Sequence, residues 1–166
     1  MIKKMLSEIK KRTTPEIYFT MDVEGCRTLK TDVPTTYFID YPLELPDFCF
    51  KNSGLHFHID INHLDEISFE EVHELLKKKK EKIERKTRRK IKYFRPGCLI
   101  NHPKLDKAVK KLKMRIIGTN VRYYTAWLPK KKIVFIVHSY NSRIFIKFLI
   151  LYLKLFHPFG KWKTLE

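Results

Sequence analysis

The sequence contains no glutamine, and its Lys, Arg, Glu and Ile contents are high. Scarce amide side chains combined with abundant charges are typical of heat-adapted proteins, so this bias favours a thermophilic source. The composition is otherwise that of a globular protein, because 43% of the residues are apolar and 13% are aromatic. Such a content excludes a chain that is disordered throughout.

Cysteine is also scarce. Cys26, Cys49 and Cys98 are odd in number and lack the spacing of a metal site, which excludes a disulfide framework and favours a reducing compartment. The first residues, MIKKMLSEIKKRTTPE, lack the apolar region of a secretory signal. We therefore expect a cytoplasmic protein with one domain over residues 1–166, of which residues 1–15 form a basic helix or extension.

Long apolar runs are missing as well. The longest candidate, IFIKFLILYLKLF at residues 144–156, is too short to span a bilayer and is interrupted by Lys147 and Lys154. These lysines lie seven residues apart on one face of a helix, and Arg143 extends their stripe. Two interpretations follow: a C-terminal helix packed on a core with a narrow polar stripe, or a helix lying in a membrane interface.

Acidic residues are too few to balance the basic ones, and the net charge is +17. Between Lys77 and Lys92, eleven basic residues stand against two glutamates. Such a charge attracts polyanions, including nucleic acid, acidic glycans and anionic lipid. The sequence shows no motif for specific nucleic-acid recognition, so we expect at most loose attachment to a polyanion or an anionic membrane.

Helical and extended patterns alternate along the chain. Ser68 and Glu71 form a predicted capping box that opens a long helix, and Phe69, Val72, Leu76 and Ile83 mark its apolar stripe. Another helix follows Pro103, and a short one is expected over residues 3–11. Strands are predicted at EIYFTM, TYFID, GLHFHI, IKYF, MRIIGT and IVFIV, with the rest of residues 29–52 as loop. This alternation predicts an α/β fold with a largely parallel sheet.

Polar side chains follow these predicted strands where each one ends, at Asp22, His56, His58, Arg95, Asn120 and His138. The carboxyl ends of parallel strands converge on one face, so we expect these residues to share a site. Carboxylates and histidines can hold a divalent metal that polarises a carbonyl and activates water. A further carboxylate can act as base, and a histidine on the far side can protonate a leaving group.

Several segments at these positions resemble the motifs of the polysaccharide deacetylase (NodB-homology) family, a carbohydrate esterase type. FTMDVEG, GLHFHID, FRPG and IVFIVHSY occur in the family's order, and FGKWKTLE is similar to its closing segment. The resemblance covers roughly residues 16–166. It implies a distorted (β/α) barrel and hydrolysis of N- or O-acetyl groups on an acetylated carbohydrate. Because 166 residues are few for such a barrel, we expect a trimmed one, open on one side.

The resemblance also implies roles for individual residues. Asp22 matches the catalytic base, Arg95 the arginine that orients this base, and His138 the acid of the last motif. Trp127 is loosely similar to the aromatic wall of the acetyl pocket. The implied cofactor is a divalent metal, with zinc as the first choice and cobalt, nickel or manganese as alternatives.

The metal ligands depart from the family pattern. Val23 stands where the family has a metal-binding aspartate, and Glu24 is the acid that could replace it. The family's two histidines stand four residues apart, whereas His63 comes five residues after His58. The candidate ligands are therefore Glu24, His56, His58 and His63, paired as His56 with Asp60, as His58 with His63, or as an incomplete set.

These departures keep three functions open. The first is a metal-dependent hydrolase that removes acetyl groups from a carbohydrate. The second is a degenerate binding protein that keeps the fold without the chemistry. The third is a basic protein that attaches to nucleic acid or to an anionic membrane.

Overall fold

The structure is a computed structural model that describes residues 14–24, 28–40, 45–117, 132–138 and 141–165. The predicted helix over residues 3–11, Cys26, Asn120 and Trp127 lie outside these residues. Of the other cysteines, Cys49 is a buried free thiol and Cys98 an exposed one.

In the part of the chain that the structure describes, seven strands form a single sheet: β1 (Glu16–Val23), β2 (Thr35–Ile39), β3 (Ser53–Phe57), β4 (Tyr93–Pro96), β5 (Arg115–Ile116), β6 (Lys132–His138) and β7 (Lys161–Trp162). Their order is β5-β4-β3-β2-β1-β6, and every pair is parallel. β6 pairs with one side of β1 from Glu16 to Asp22, and β2 pairs with the other side from Phe19 to Val23. β7 pairs with Glu16 and Ile17, on the same side of β1 as β2.

Within the described residues, five α-helices accompany the sheet: α1 (Phe48–Lys51), α2 (Ile61–Glu66), α3 (Phe69–Thr87), α4 (Pro103–Lys111) and α5 (Arg143–Phe156). A 3-10 turn at Gly97–Leu99 follows β4. Helices separate β3 from β4, β4 from β5 and β6 from β7, as the sequence pattern predicts, and each of these crossovers returns the chain to the same end of the sheet.

The capping box predicted for α3 is present. The Ser68 backbone N–H donates to Glu71 Oε2 at 2.7 Å, and the Glu71 N–H donates to Ser68 Oγ at 3.2 Å. The helix buries Val72, Leu76 and Ile83, three of the four predicted stripe positions. It ends at Arg88, which has left-handed backbone angles of φ 52° and ψ 31°.

The stretch between residues 29 and 52 is more regular than the sequence indicates. The predicted short strand is present as β2, whose five residues are all buried between β1 and β3. The short helix α1 lies in a segment that we expected to be loop, and it buries Cys49 and Phe50. Pro46 precedes this helix, where a proline costs no helical hydrogen bond. Conversely, the predicted strand MRIIGT contributes only Arg115 and Ile116 within the described residues.

The two faces of the sheet differ in chemistry. Side chains at alternate positions, such as Phe19, Met21 and Val23 of β1, join the helices in one hydrophobic core. The intervening positions of β1 to β4 carry buried polar groups instead, at Thr20, Asp22, Thr36, His56 and Arg95. Burying polar groups is costly unless they are paired, so the polar groups of this second face are expected to have partners.

The architecture is a mixed α/β fold whose parallel strands form a half-barrel. This confirms the trimmed, distorted (β/α) barrel predicted from the sequence. The barrel is shortened at the connection from β1 to β2, whose described part contains no helix.

The C-terminal helix α5 packs on the core through Ile146, Ile150 and Leu153. Its N-cap, Ser142, accepts a hydrogen bond from the Phe145 N–H at 3.1 Å. No helix in the described part of the chain has the length and apolar character needed to cross a membrane.

Candidate metal centre

Strand register brings the polar residues of the second face together. Asp22 of β1 is the register partner of Phe38 on β2 and of His138 on β6, and Phe38 is in turn opposite Gly54 of β3. His56 lies two residues beyond Gly54 on the same face and is opposite Arg95 of β4. The polar side chains of β1, β3, β4 and β6 therefore lie together at the carboxyl end of the sheet, as predicted from their positions at the strand ends.

Asp22 and Arg95 form a buried ion pair at the centre of this face. Their relative exposures are 2% and 0%, and Arg95 Nη1 donates to Asp22 Oδ1. Arg95 Nη2 also donates to Thr20 Oγ1 at 2.7 Å. Burial lowers the pKa of Arg95, while the neighbouring Asp22 carboxylate raises it again. The pair thereby fixes the orientation of the Asp22 carboxylate.

A glycine on β3 makes room for the arginine. The Phe38 ring lies against Gly54, where an added Cβ would be only 2.7 Å from a ring carbon. The guanidinium of Arg95 stacks on this ring, 3.9 Å from its centroid. Phe38 therefore contacts both Gly54 and Arg95, and it contributes a cation–π contact to the guanidinium.

Glu24 reaches the histidines, so it can replace the metal-binding aspartate that the family has at the position of Val23. Val23 faces the hydrophobic core and is fully buried, whereas alternation returns Glu24 to the face of Asp22. Glu24 Oε1 lies 3.2 Å from His58 Nε2 and 3.7 Å from His56 Nε2. An acid one residue after Val23 is thus better placed than an acid at Val23 would be.

His56 presents a lone pair to this cluster. Its Nδ1 lies 3.0 Å from the carbonyl oxygen of Arg95, so this nitrogen carries the proton and donates it. Its buried Nε2 has no hydrogen-bond partner among the described residues. Burial lowers the pKa of His56, which favours the neutral ring. A ring fixed by a carbonyl, with its other nitrogen unprotonated, is arranged as metal-binding histidines are.

Glu24, His56 and His58 fit a divalent metal ion. Their ligand atoms all lie within 4.8 Å of one another, and no other such group of three occurs among the described residues. Ligand atoms at about 2.1 Å from one ion are at most about 4.2 Å apart, so small side-chain shifts complete the geometry. One carboxylate and two imidazoles form a donor set that suits zinc and other late divalent ions.

Gly97 holds His58 in place, a role that the sequence argument missed. A Cβ at Gly97 would lie 2.6 Å from His58 Cγ and 2.9 Å from its Cα. The backbone after β4 can approach the ring only because residue 97 has no side chain. The glycine of the FRPG segment was the available signal, since a glycine directly after a strand permits close approach.

His138 borders the cluster from β6. Its Nδ1 lies 3.2 Å from Glu24 Oε1, so the ring is in contact with the carboxylate of the cluster. Its backbone N–H donates to Asn141 Oδ1 at 2.8 Å, which ties the strand end to the start of α5. The side chain is partly exposed, as a group that meets a substrate must be.

Other residues proposed as ligands lie elsewhere. His63 is on α2, where its Nδ1 lies 3.8 Å from Glu66 Oε2, and it is not part of the cluster. Asp60 caps the same helix by accepting a hydrogen bond from the Asn62 N–H at 2.8 Å. Of the pairings that the sequence left open, the structure instead brings His56 and His58 together on Glu24.

The basic segment after Lys77 is partly engaged by the protein itself. Lys79 forms an ion pair with Asp40 at 2.5 Å and lies over the Phe57 ring, and Lys80 pairs with Glu84 at 2.5 Å. Further along, Arg89, Lys90 and Lys92 line a groove of about 480 Å³. Attachment to a polyanion stays a prediction.

Comparison with known proteins supports the fold. No protein-family model matches the chain, and no curated protein matches it. A wild-type CE4 family pseudoenzyme from Bacillus anthracis aligns with a TM-score of 0.63 and 13% identity, over 92% of this chain and 64% of that one. A mutant of that protein with restored enzymatic activity aligns with a TM-score of 0.63 and 15% identity, over 92% and 66%.

This chain therefore spans 64% of the length of the wild-type structure and 66% of the length of the mutant. At such low identity the likeness shows the fold alone, which is that of the CE4 family and is polysaccharide deacetylase-like. Whether this chain is an active enzyme is a separate question that its own residues must address.

Proposed function

We propose that this protein is a metal-dependent hydrolase that removes N- or O-acetyl groups from a carbohydrate. The convergence of Glu24, His56 and His58 beside the buried Asp22–Arg95 pair is the observation that carries the proposal. A structural role alone does not explain a buried His56 nitrogen that is oriented toward the Glu24 carboxylate, beside the imidazole of His58.

Each residue has a specific task in this reaction. Glu24, His56 and His58 hold the divalent ion, for which zinc is the first choice. When bound, the ion supplies polarisation of the acetyl carbonyl and lowers the pKa of water. Asp22 accepts the proton of the water that attacks the carbonyl carbon, and Arg95 keeps the carboxylate oriented. His138 donates a proton to the departing amine or alkoxide, so the products are acetate and an amine or alcohol.

Acetate release from acetylated oligosaccharides tests the proposal. The protein is stripped with a chelator, reloaded with zinc, and incubated with N-acetylated chitohexaose or with O-acetylated xylan. We expect zinc-dependent acetate release that falls by about a hundredfold or more in His138→Asn and in Asp22→Asn, since each removes a proton-transfer group. His138 is the cleaner probe, because Asp22→Asn also disrupts a buried ion pair.

The matched control is Asp60→Asn, which changes an aspartate near the same end of the sheet that only caps α2. Thermal unfolding establishes that each variant is folded at the assay temperature. Undiminished acetate release in His138→Asn would refute the assigned acid, and no release from the zinc-loaded wild-type protein on either substrate would refute the activity.

A second function, a binding protein without catalysis, is favoured by the burial of Asp22. This carboxylate is only 2% exposed and one of its oxygens is held by Arg95, so access for water is narrow. The similar structures include a pseudoenzyme, which the same fold evidently permits. Stoichiometric zinc binding by a protein that releases no acetate would select this second function.

A further inference from the structure

One face of α5 is apolar and exposed. Ile144, Phe148, Leu151 and Leu155 lie at the helical spacing i, i+4, i+7 and i+11, so they form one stripe along the helix. We name this stripe the outer α5 face. Ile144 is 81% exposed, Phe148 65% and Leu155 69%, and Phe145 and Phe156 widen the stripe on one side.

Such a surface is unusual for a protein that is solvated on all sides. Single exposed apolar residues are common, but contiguous patches of large apolar residues mark sites that bind another protein, a membrane or a ligand. The opposite side of α5 already packs on the core through Ile146, Ile150 and Leu153. The outer α5 face therefore stays exposed in the folded protein and can contact a partner.

A basic groove lies directly beside this face. Arg143, Lys147 and Lys154 of α5 line it together with Lys30, and it has a volume of about 430 Å³. Leu151 belongs both to the groove and to the outer α5 face, so the two surfaces are continuous. Asp32, the acid in the lining, pairs with Lys154 at 2.8 Å. Neither Arg143 nor Lys147 has an ion pair among the described residues.

We propose that α5 docks the protein on the surface of an anionic phospholipid membrane. The outer α5 face enters the boundary between headgroups and acyl chains, and the basic groove receives lipid phosphates. The net charge of +17 attracts the whole molecule to such a surface. The proposal does not depend on the hydrolase activity, since no residue of the metal centre takes part.

A second copy of the chain is a poorer occupant of this face. Helix α5 contains no Asp or Glu, so two facing copies would bring their Lys147 side chains together with no acid on the helix to pair with them. The remaining charge of each copy is also strongly positive, which opposes self-association. An anionic bilayer satisfies both the apolar face and the cations beside it.

Vesicle co-sedimentation tests the proposal with the full chain. We expect binding to vesicles of phosphatidylcholine with about 30% phosphatidylglycerol, and at least about tenfold weaker partitioning to pure phosphatidylcholine. Binding should weaken as salt is raised, because the electrostatic part is screened.

Two variants separate the apolar from the basic contribution. Phe148→Ala with Leu155→Ala should reduce partitioning at least about tenfold, because buried apolar area drives insertion. Lys147→Glu should reduce it about fivefold or more on the anionic vesicles. The matched controls are Leu75→Ala and Lys78→Glu on α3, which change an exposed apolar and an exposed basic residue away from α5.

Three results would overturn the proposal. The first is no binding to vesicles of either composition. The second is an equal loss in Lys78→Glu and Lys147→Glu, since attachment would then depend on net charge and not on α5. The third is a concentration-dependent dimer, seen by sedimentation equilibrium, that Phe148→Ala with Leu155→Ala abolishes, because a second copy would then occupy the face.

Discussion

At the scale of single residues, the candidate metal site depends on neighbours that are not themselves candidate ligands. Gly97 lets the backbone pass against His58, and Thr20 accepts a hydrogen bond from the arginine that pairs with Asp22. Positions of this kind set the geometry of the site within a few tenths of an ångström. They are also hard to identify from sequence, because a threonine or a glycine has many ordinary uses.

Gly97→Ala should weaken zinc binding at least about tenfold, as expected when the support of a metal ligand is lost. The new Cβ would lie 2.6 Å from His58 Cγ, so the ring has to move away from Glu24. Isothermal titration calorimetry measures the affinity. In a His58→Ala background the same substitution should add no further loss, because Gly97 acts through His58. Equal affinities of wild-type and Gly97→Ala would show that Gly97 does not position the ligand.

Arg95→Met should destabilise the protein by about 3–5 kcal/mol, because it leaves the Asp22 carboxylate buried without a counter-charge. The double variant Asp22→Leu with Arg95→Met removes both charges and should cost less. Urea unfolding gives the free energy of each variant. If the single variant were as stable as the double one, the buried pair would not be coupled.

At the scale of elements, α3 shows how local signals determine a helix. Its capping box and the early acids with late bases predict both its start and its direction. Its apolar stripe then fixes which side faces the sheet. The C-terminal end has no such signal, because Arg88 is a non-glycine residue in the left-handed conformation that usually selects glycine.

Arg88→Gly should therefore stabilise the protein by about 0.5–1 kcal/mol, because glycine adopts φ 52° without steric cost. Thermal and urea unfolding measure the change. The control is Arg88→Ala, which removes the same charge but retains a Cβ. A gain of equal size in both variants would attribute the effect to relieved charge repulsion and not to the backbone.

At the scale of the whole molecule, the proposed metal ion would connect separate parts of the sheet. Glu24 follows β1, whereas His56 and His58 lie at the end of β3, and β2 runs between them. An ion bound to all three therefore links strands that are not neighbours. Because the unfolded chain lacks this arrangement, binding should favour the folded state.

Zinc at a hundredfold excess over its dissociation constant should stabilise the protein by about 2.7 kcal/mol. For a chain of this size the unfolding midpoint should then rise by about 5–10 °C. Differential scanning calorimetry measures the shift, and a chelator should reverse it. Glu24→Gln should lose most of the effect, and magnesium at the same concentration should produce little, because it prefers oxygen ligands. A shift that persists in Glu24→Gln would place the ion elsewhere.

The sequence by itself determined the alternation of elements and the polar residues that stand at the strand ends. Apolar periodicity, the capping box of α3 and the apolar run IVFIV within β6 each depend on neighbouring residues only, which is why they can be predicted. The placement of Asp22, His56, Arg95 and His138 at strand ends follows from the same reasoning, since parallel strands end on one side. The apolar run of α5 was evident too.

Only the tertiary structure decided which of these residues meet. The choice of Glu24 with His56 and His58, in place of a pair including His63, depends on strand register and on the close approach of Gly97. The face that α5 leaves exposed likewise depends on which of its apolar residues the core accepts. Both depend on long-range packing. The 3.6-residue and two-residue periods of a sequence show which side of an element is apolar, but they do not specify which other element packs against it.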